Sequence, residues 1–301
     1  MSRGNQNILT ILLSALAFGA EASPCGIGLG STPIAFPKQL PLDQVIADFK
    51  SAKQRVIAID YDRTIRRHHG FEQNPAPAPE LLKMISELAQ YPNTLVLINS
   101  ARSKLTLQAW FGHLNSIGLA AENGYWYRAP GGEWKIEEPD ADLSFFEPAR
   151  KFLRDIADYV HGSILLEKTA SLTFVHRNLD PRLGPKLAHD LEGILVRSRA
   201  LRMRVIHNRN AVEFLPVGVN KGSFLTKLLN SFSDPAETFF LVAGDDEADE
   251  DMFQAVHAWK PSAWTIRVQE DDNESPPPSS AATWVLPHVE AILKLLSQLP
   301  S

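Results

Sequence analysis

Val56-Ile57-Ala58-Ile59-Asp60-Tyr61-Asp62-Arg63-Thr64 carries four apolar residues straight into two aspartates separated by one residue. An apolar run without polar alternation predicts a strand buried on both faces that ends in a polar turn. The same grammar recurs twice. Leu95-Val96-Leu97-Ile98 runs into Asn99-Ser100, and Phe239-Phe240-Leu241-Val242-Ala243 runs into Gly244-Asp245-Asp246. Between the first two lies an amphipathic stretch, Pro79 to Gln90, with Leu81, Leu82, Ile85 and Leu88 on one helical face. Buried strands alternating with helices predict an α/β fold with a parallel sheet covered on both sides. Ligands of such sheets bind beyond the carboxyl ends of the strands. The three polar clusters, remote in sequence, are therefore expected along one edge.

The middle of the chain has another texture. Tyr125-Trp126-Tyr127-Arg128 and Trp134-Lys135-Ile136, joined through Pro130-Gly131-Gly132, read as a hairpin. Phe145 to Tyr159 and Pro185 to Val196 read as helices, with one bent strand or a pair of strands from Ile164 to His176. A further hairpin is expected from Met203 to Ile206 and Ala211 to Phe214, turning at His207-Asn208-Arg209-Asn210. These elements predict a smaller α+β insert at 124–210, dividing a core made of 40–123 and 211–301. A Pro-rich loop, Glu270 to Ala281, precedes a last strand at Trp284-Val285-Leu286 and a closing helix.

Composition narrows the partners. The chain has 301 residues, 44% hydrophobic and 22% charged, which suits one large or two ordinary globular domains. A formal net charge of -5 offers no basic face for nucleic acid, so an anionic ligand must be drawn by local charge. Cys25 is the single cysteine, which excludes an internal disulfide and a cysteine-based zinc site. Residues 1–39 form a separate N-terminal segment. Within it, Ile8 to Ala20 after Arg3, followed by Ala20-Glu21-Ala22, reads either as a signal peptide over 1–22 or as a docking helix with Leu9, Leu12, Leu13 and Leu16 on one face. Either way it is too short for a membrane span.

The polar clusters carry the chemistry. Of two carboxylates spaced like Asp60 and Asp62, one can attack phosphorus and the other can move the leaving-group proton, although Asp-x-Asp alone more often marks a pair of turn or cap aspartates. Gly244-Asp245-Asp246 brings a second acidic group to a neighbouring strand end. Facing acidic clusters repel unless a hard cation lies between them, and Mg²⁺ takes a few carboxylates with water and phosphate oxygens. Asp245 is the expected ligand, whereas Glu250 and Asp251 read as an acidic first helical turn. Lys221, opening a helix after Asn220, suits phosphate charge and an ionised Asp60. Ser100 and Arg102 can donate to phosphoryl oxygens, or cap a helix and face solvent.

In their order, Asp60-x-Asp62-x-Thr64, Ser100, Lys221 and Gly244-Asp245-Asp246 resemble the haloacid dehalogenase-like phosphatase superfamily. Finer text is similar to the trehalose-6-phosphate phosphatase family: Ser100-Ala101-Arg102, Ala121-Glu122-Asn123-Gly124, Val219-Asn220-Lys221-Gly222 and, most specific, Gly244 through Phe253. The insert adds Glu167-Lys168-Thr169-Ala170-Ser171-Leu172 and His176-Arg177. This resemblance implies a Rossmann-like core with an α/β cap, Asp60 as nucleophile and Asp62 as general acid/base. It implies Mg²⁺ held by the Asp60 carboxylate, the Asp62 main-chain carbonyl and Asp245, with Asp249 in support. Ser100 and Lys221 would bind the phosphoryl group, and Glu122, Glu167, Lys168, Arg177 and Glu213 the sugar. The implied substrate is trehalose 6-phosphate, the implied compartment the cytoplasm unless residues 1–22 are cleaved, and the implied partner a trehalose-phosphate synthase. Three positions depart from the family pattern: Arg63 and Ala101 stand where glycine is usual, and Ala248 where threonine is. Two other readings stay open: a phosphatase of another sugar phosphate, because cap contacts alone set that choice, and a catalytically weak sugar-phosphate sensor or regulatory subunit, motivated by Arg63, Ala101 and the apolar N-terminal segment.

Overall fold

A computed structural model describes residues 38–67, 76–197, 201–232, 234–269 and 280–300. The expectations for the N-terminal apolar segment and for the Pro-rich stretch 270–279 lie outside the described residues.

Among the described residues a nine-stranded sheet runs in the order β1 (Lys38–Gln39), β13 (Trp284–Leu286), β12 (Trp264–Val268), β11 (Thr238–Gly244), β2 (Gln54–Ile59), β3 (Thr94–Asn99), β4 (Gly118–Ala121), β5 (Trp126–Arg128) and β6 (Trp134–Ile136). Pairing is parallel from β1 to β4 and antiparallel for β5 and β6. The unbroken apolar runs are explained by cover on both faces. Ile57 and Ile59 of β2 pack with α1 (Leu42–Ser51), α2 (Pro79–Ala89), α3 (Lys104–Phe111) and α8 (Val289–Gln298). Val56 and Ala58 pack on the other face with α6 (Lys221–Leu229) and α7 (Glu247–Trp259). Burying each of the isoleucine and valine side chains contributes about 1.5–3 kcal/mol, so a one-residue register slip along β2 would be costly.

That register brings the polar clusters together. Ala243 of β11 lies opposite Ile59, and Ile59 lies opposite Ile98. All three strands run the same way, so Asp60, Asn99 and Gly244-Asp245 leave the sheet side by side. The Asp60 N–H still donates to the Ala243 carbonyl at 3.0 Å, which fixes the backbone one residue beyond the strand.

A second, fully antiparallel sheet has the order β7 (Ile164–Glu167), β8 (Leu172–Val175), β10 (Ala211–Leu215) and β9 (Arg204–Asn208). Helix α4 (Phe146–Tyr159) packs on β7 and β8, and α5 (Leu183–Arg197) packs on β10. The insert thus differs from the expected 124–210 at both ends. The hairpin β5–β6 extends the large sheet, where Tyr127 is buried against Phe224 of α6 with ring centroids 5.0 Å apart. At the other end β10 completes the small sheet, through its partners β8 and β9. Alternating strand patterns show that a strand is half-buried and not which sheet it joins. No helix among the described residues is long and apolar enough to cross a membrane.

Candidate active site

Tyr61 anchors the loop after β2. It is fully buried, packed 5.1 Å from Trp110 and 5.5 Å from Phe111 between ring centroids. Its burial pins the two aspartates that flank it. Asp60 is 4% exposed, and its Oδ1 accepts from Lys221 Nζ at 2.7 Å. Lys221 begins α6, where Asn220 is the N-cap and accepts from Ser223 N at 2.7 Å. The Lys221 backbone is held too, since its carbonyl accepts from Asn99 Nδ2 at 3.2 Å. Lys221 Nζ also donates to Asp249 Oδ1 at 2.7 Å, and Asp249 is completely buried. The other oxygen of Asp249 accepts from the backbone N–H groups of Asp245 (2.8 Å) and Asp246 (3.1 Å). A Cβ on Gly244 would lie 2.2 Å from Asp249 Cγ, so glycine is needed for that approach. Glu250 and Asp251 turn elsewhere, to Arg267 at 2.7 Å and Arg204 at 2.6 Å.

Asp62 behaves differently. Arg102 holds it bidentately, Nε to Oδ2 and Nη2 to Oδ1, both at 2.7 Å. The same guanidinium lies 5.3 Å from the Trp110 ring centroid. Arg102, expected on the phosphoryl group, therefore rests on the second aspartate in this arrangement. Ser100 is buried and its Oγ accepts from Arg102 N at 3.2 Å, whereas the cap of α3 is Ser103.

Arg63 adopts φ 60, a left-handed conformation that favours glycine, and its Nη1 lies 3.5 Å from Asp245 Oδ2. Thr64 Oγ1 donates to Asp245 Oδ1 at 3.3 Å. Ala101 carries no such backbone strain, because the left-handed non-glycine residues among those described are Arg63, Asn93, Glu122 and Asn123. Ala248 is buried just inside α7, its N–H donating to Asp246 Oδ1 at 2.9 Å.

The charges are crowded and dry. Burial pushes the Asp60 pKa well up, with Asp249, Asp246 and Asp62 adding to the rise and Lys221 opposing it. Asp245 is raised for similar reasons, first burial and then Asp246, against the pull of Arg63. Asp246 is pushed up to about 7 by burial and by Asp249. Burial works against the Lys221 ammonium, yet Asp249 and Asp60 hold its pKa well above normal. Asp60, Asp245 and Asp249 each bring one carboxylate oxygen within 4.8 Å of the others. Buried, mutually repelling carboxylates that offer hard oxygen donors suit Mg²⁺. Asp60 and Asp245 fit it as direct ligands, while both oxygens of Asp249 are already engaged.

Three of the five expected sugar residues meet at a seam between the two sheets. Buried Glu122 accepts from the Thr169 N–H at 2.8 Å and the Ala170 N–H at 3.1 Å. Glu213 of β10 accepts from Lys168 Nζ (2.5 Å), Ser171 Oγ (2.7 Å) and Asn123 Nδ2 (3.2 Å). Lys168 Nζ also donates to the Ala101 carbonyl at 2.9 Å, next to Ser100. Burial would raise the Glu213 pKa, but Lys168, Ser171 and Asn123 hold it below normal. The other two lie elsewhere: Glu167 pairs with Arg154 of α4, and Arg177 lies beyond the far end of β8 from the 168–171 turn. Asn99, Asn123 and Ser171 lie inside the quoted motifs but were given no role there, and they carry structural hydrogen bonds. A buried polar residue at the end of an apolar run was the one available signal, and it applies to Asn99.

The trehalose-phosphatase family matches residues 58–288, a span that takes in all three strand ends and the seam. The bifunctional trehalose-6-phosphate synthase/phosphatase of Thermoproteus tenax is 34% identical over 238 residues, covering 78% of this chain and 31% of that protein. The trehalose-phosphatase of Schizosaccharomyces pombe is 26% identical over 265 residues, covering 85% of this chain and 32% of that protein. The chain thus spans less than a third of the length of either relative. Among solved structures, the C-terminal domain of C. albicans trehalose-6-phosphate phosphatase shares the fold, with a TM-score of 0.79 at 24% identity over 89% of this chain and 99% of that one. With the family match running through the strand ends, the cap and β13, the chain belongs to the trehalose-phosphatase family.

Proposed function

We propose that this chain is a Mg²⁺-dependent phosphatase that converts trehalose 6-phosphate and water to trehalose and phosphate. The observation that carries the reading is the buried Asp60 carboxylate with one oxygen fixed by Lys221 at 2.7 Å. An Asp60 oxygen attacks phosphorus and the bond from phosphorus to the sugar oxygen breaks. Asp62 gives its proton to that oxygen, leaving an aspartyl-phosphate. Asp62 then takes a proton from water, which attacks phosphorus and returns Asp60 to its carboxylate. When bound at Asp60, Asp245 and the Asp62 carbonyl, Mg²⁺ supplies positive charge for the phosphoryl oxygens. Asp249 supports the set by placing Lys221 and the Asp245 amide. A phosphoryl group entering beside Asp62 competes for Arg102, which joins Ser100 and Lys221 as a donor and releases Asp62 for proton transfer. Glu122, Lys168 and Glu213 then face the sugar hydroxyls, and the cap excludes bulk water. A trehalose-phosphate synthase, whether adjoining or separate, is the proposed partner, since the Thermoproteus tenax relative is a bifunctional trehalose-6-phosphate synthase/phosphatase.

The test is phosphate release from a panel of sugar phosphates, with Mg²⁺ and with chelator. Metal-dependent release largely confined to trehalose 6-phosphate is expected. Preference for another sugar phosphate would move the reading to a different substrate. Arg63, with its guanidinium on Asp245, favours one alternative, a weakly active sensor. Binding of the sugar phosphate by the folded chain without turnover would establish that reading instead.

A further inference from the structure

A second group of metal-ligating side chains lies on the cap and shares no residue with the Asp60 cluster. His189 and Glu192 stand three residues apart on α5, so they present to the same face of the helix. His207 reaches that face from β9, the edge strand of the small sheet. The Nε2 of His207 lies 2.8 Å from Glu192 Oε2, and His189 Nδ1 lies 3.8 Å from the same oxygen. The two imidazoles stack with ring centroids 4.3 Å apart and planes inclined by 27°. One donor atom from each of the three residues falls within 4.8 Å of the others.

We propose that His189, Glu192 and His207 form a binding site for a divalent first-row transition ion, with Zn²⁺ the expected occupant. Two imidazoles and one carboxylate are a ligand set that selects such ions over Mg²⁺ or Ca²⁺, and three protein ligands leave a position for water. A pairing of His207 with Glu192 accounts for two of these side chains only. It does not explain a second imidazole stacked on the first, which would repel it whenever both were protonated. Neutral imidazoles sharing one ion with Glu192 satisfy all three. Tetrahedral zinc ligands at about 2.0–2.2 Å from the ion lie about 3.3–3.6 Å from one another, so the His207–Glu192 pair at 2.8 Å must open slightly and His189 at 3.8 Å must close in. His189 is 67% exposed in its side chain, so rotation of that ring closes the set without moving the helix. Solvent on the same side provides the entry path. The ion would tie α5 to β9, whose Arg204 is paired with Asp251 of the core helix α7 at 2.6 Å. The site thus stiffens the cap beside one of its contacts with the core.

The experiment is a calorimetric titration of the full chain with Zn²⁺ in excess Mg²⁺, alongside His189→Ala, Glu192→Gln, His207→Ala and Asp245→Asn. One saturable Zn²⁺ site is expected in the unsubstituted chain and in Asp245→Asn. Outer partners of a metal ligand are already worth about 10–100-fold in affinity, so losing a direct ligand should weaken Zn²⁺ by about ten-fold or more. Zn²⁺ should also raise the Tm of the unsubstituted chain and leave that of His189→Ala unchanged. His189 is exposed, so this variant tests the site even if His207→Ala fails to fold. Phosphatase turnover in Mg²⁺ alone should be the same in His189→Ala as in the unsubstituted chain. No saturable Zn²⁺ binding, binding that survives the histidine substitutions, or binding lost only in Asp245→Asn would each overturn the proposal.

Discussion

The core cluster and the seam are both buried and both built on a lysine–carboxylate pair, yet they are made in different ways. Asp60, Lys221 and Asp249 come from the ends of β2, the start of α6 and the first turn of α7, all fixed to one parallel sheet. Lys168 and Glu213 pair within the small sheet, whereas the bonds from Glu122 to residues 169 and 170, from Asn123 to Glu213 and from Lys168 to the Ala101 carbonyl exist only while the cap rests on the core. On the proposed reading, chemistry on the rigid side and recognition at the joint would let the substrate site open without disturbing the reacting groups. The comparison breaks if loss of a core group behaves like loss of a seam group.

The largest effect belongs to Asp60→Asn. The side chain is nearly isosteric, so the fold should survive while turnover falls by at least about a hundred-fold, as expected for a lost covalent nucleophile. A phosphate-release assay on folded protein checks this, and retention of more than about a hundredth of the rate would remove Asp60 from the mechanism. Lys221→Met comes next, and it strikes stability as well as turnover. It leaves Asp60 and Asp249 buried without their shared cation, and such a break costs about 3–5 kcal/mol. Urea unfolding measures it, and a loss below about 1 kcal/mol would mean the carboxylates find another partner.

Glu213→Gln should act on recognition. Its partners Lys168, Ser171 and Asn123 persist, and Asp60 is untouched, so KM should rise several-fold with kcat changed less. An equal fall in kcat and kcat/KM would place Glu213 with the reacting groups and erase the distinction between core and seam. The two regions also differ in pH sign. Asp246 has a folded pKa of about 7, above its ordinary value, so the folded core binds more protons than the unfolded chain across that interval. Its contribution therefore falls as pH rises from about 4 toward 7 in chelator. Glu213 has a lowered pKa, so its contribution is present above its ordinary value and is lost as pH falls through the folded one. Urea midpoints against pH should flatten in Asp246→Asn between about pH 4 and 7, and in Glu213→Gln only at the acid end.

These differences explain what the residues could and could not announce. The strand ends were legible because an apolar run with no alternation has to be buried on both faces, and parallel pairing then aligns the polar residues that follow it. The seam was legible only through resemblance, and only in part. Glu167 and Lys168 are adjacent, and successive side chains of an extended segment point to opposite sides. Lys168 reaches Ala101 and Glu213, so Glu167 is left facing the arginines of α4. A motif names a segment without naming its face. The insert boundaries moved for a related reason, since the β5–β6 hairpin and β10 carry patterns that satisfy either sheet.

The smallest effect, and the finest test, concerns Arg63. An L-residue at φ 60 costs about 1 kcal/mol relative to glycine, but glycine gives back roughly 0.5–1 kcal/mol through the freedom of the unfolded chain. Arg63→Gly should therefore change stability by less than about 1 kcal/mol. Its clearer effect is electrostatic. The Arg63 guanidinium lies 3.5 Å from a carboxylate that also fits Mg²⁺, so the two cations compete for one carboxylate. Titration of the metal-free chain with Mg²⁺ should show tighter binding in Arg63→Gly by several-fold. The contrast with the seam sharpens here, because Glu213→Gln should leave Mg²⁺ affinity alone. Unchanged affinity in Arg63→Gly would mean that the guanidinium swings clear as the ion arrives. Weaker affinity would mean that Arg63 positions Asp245 for the metal, and that an arginine at this turn is part of the site rather than an obstacle to it.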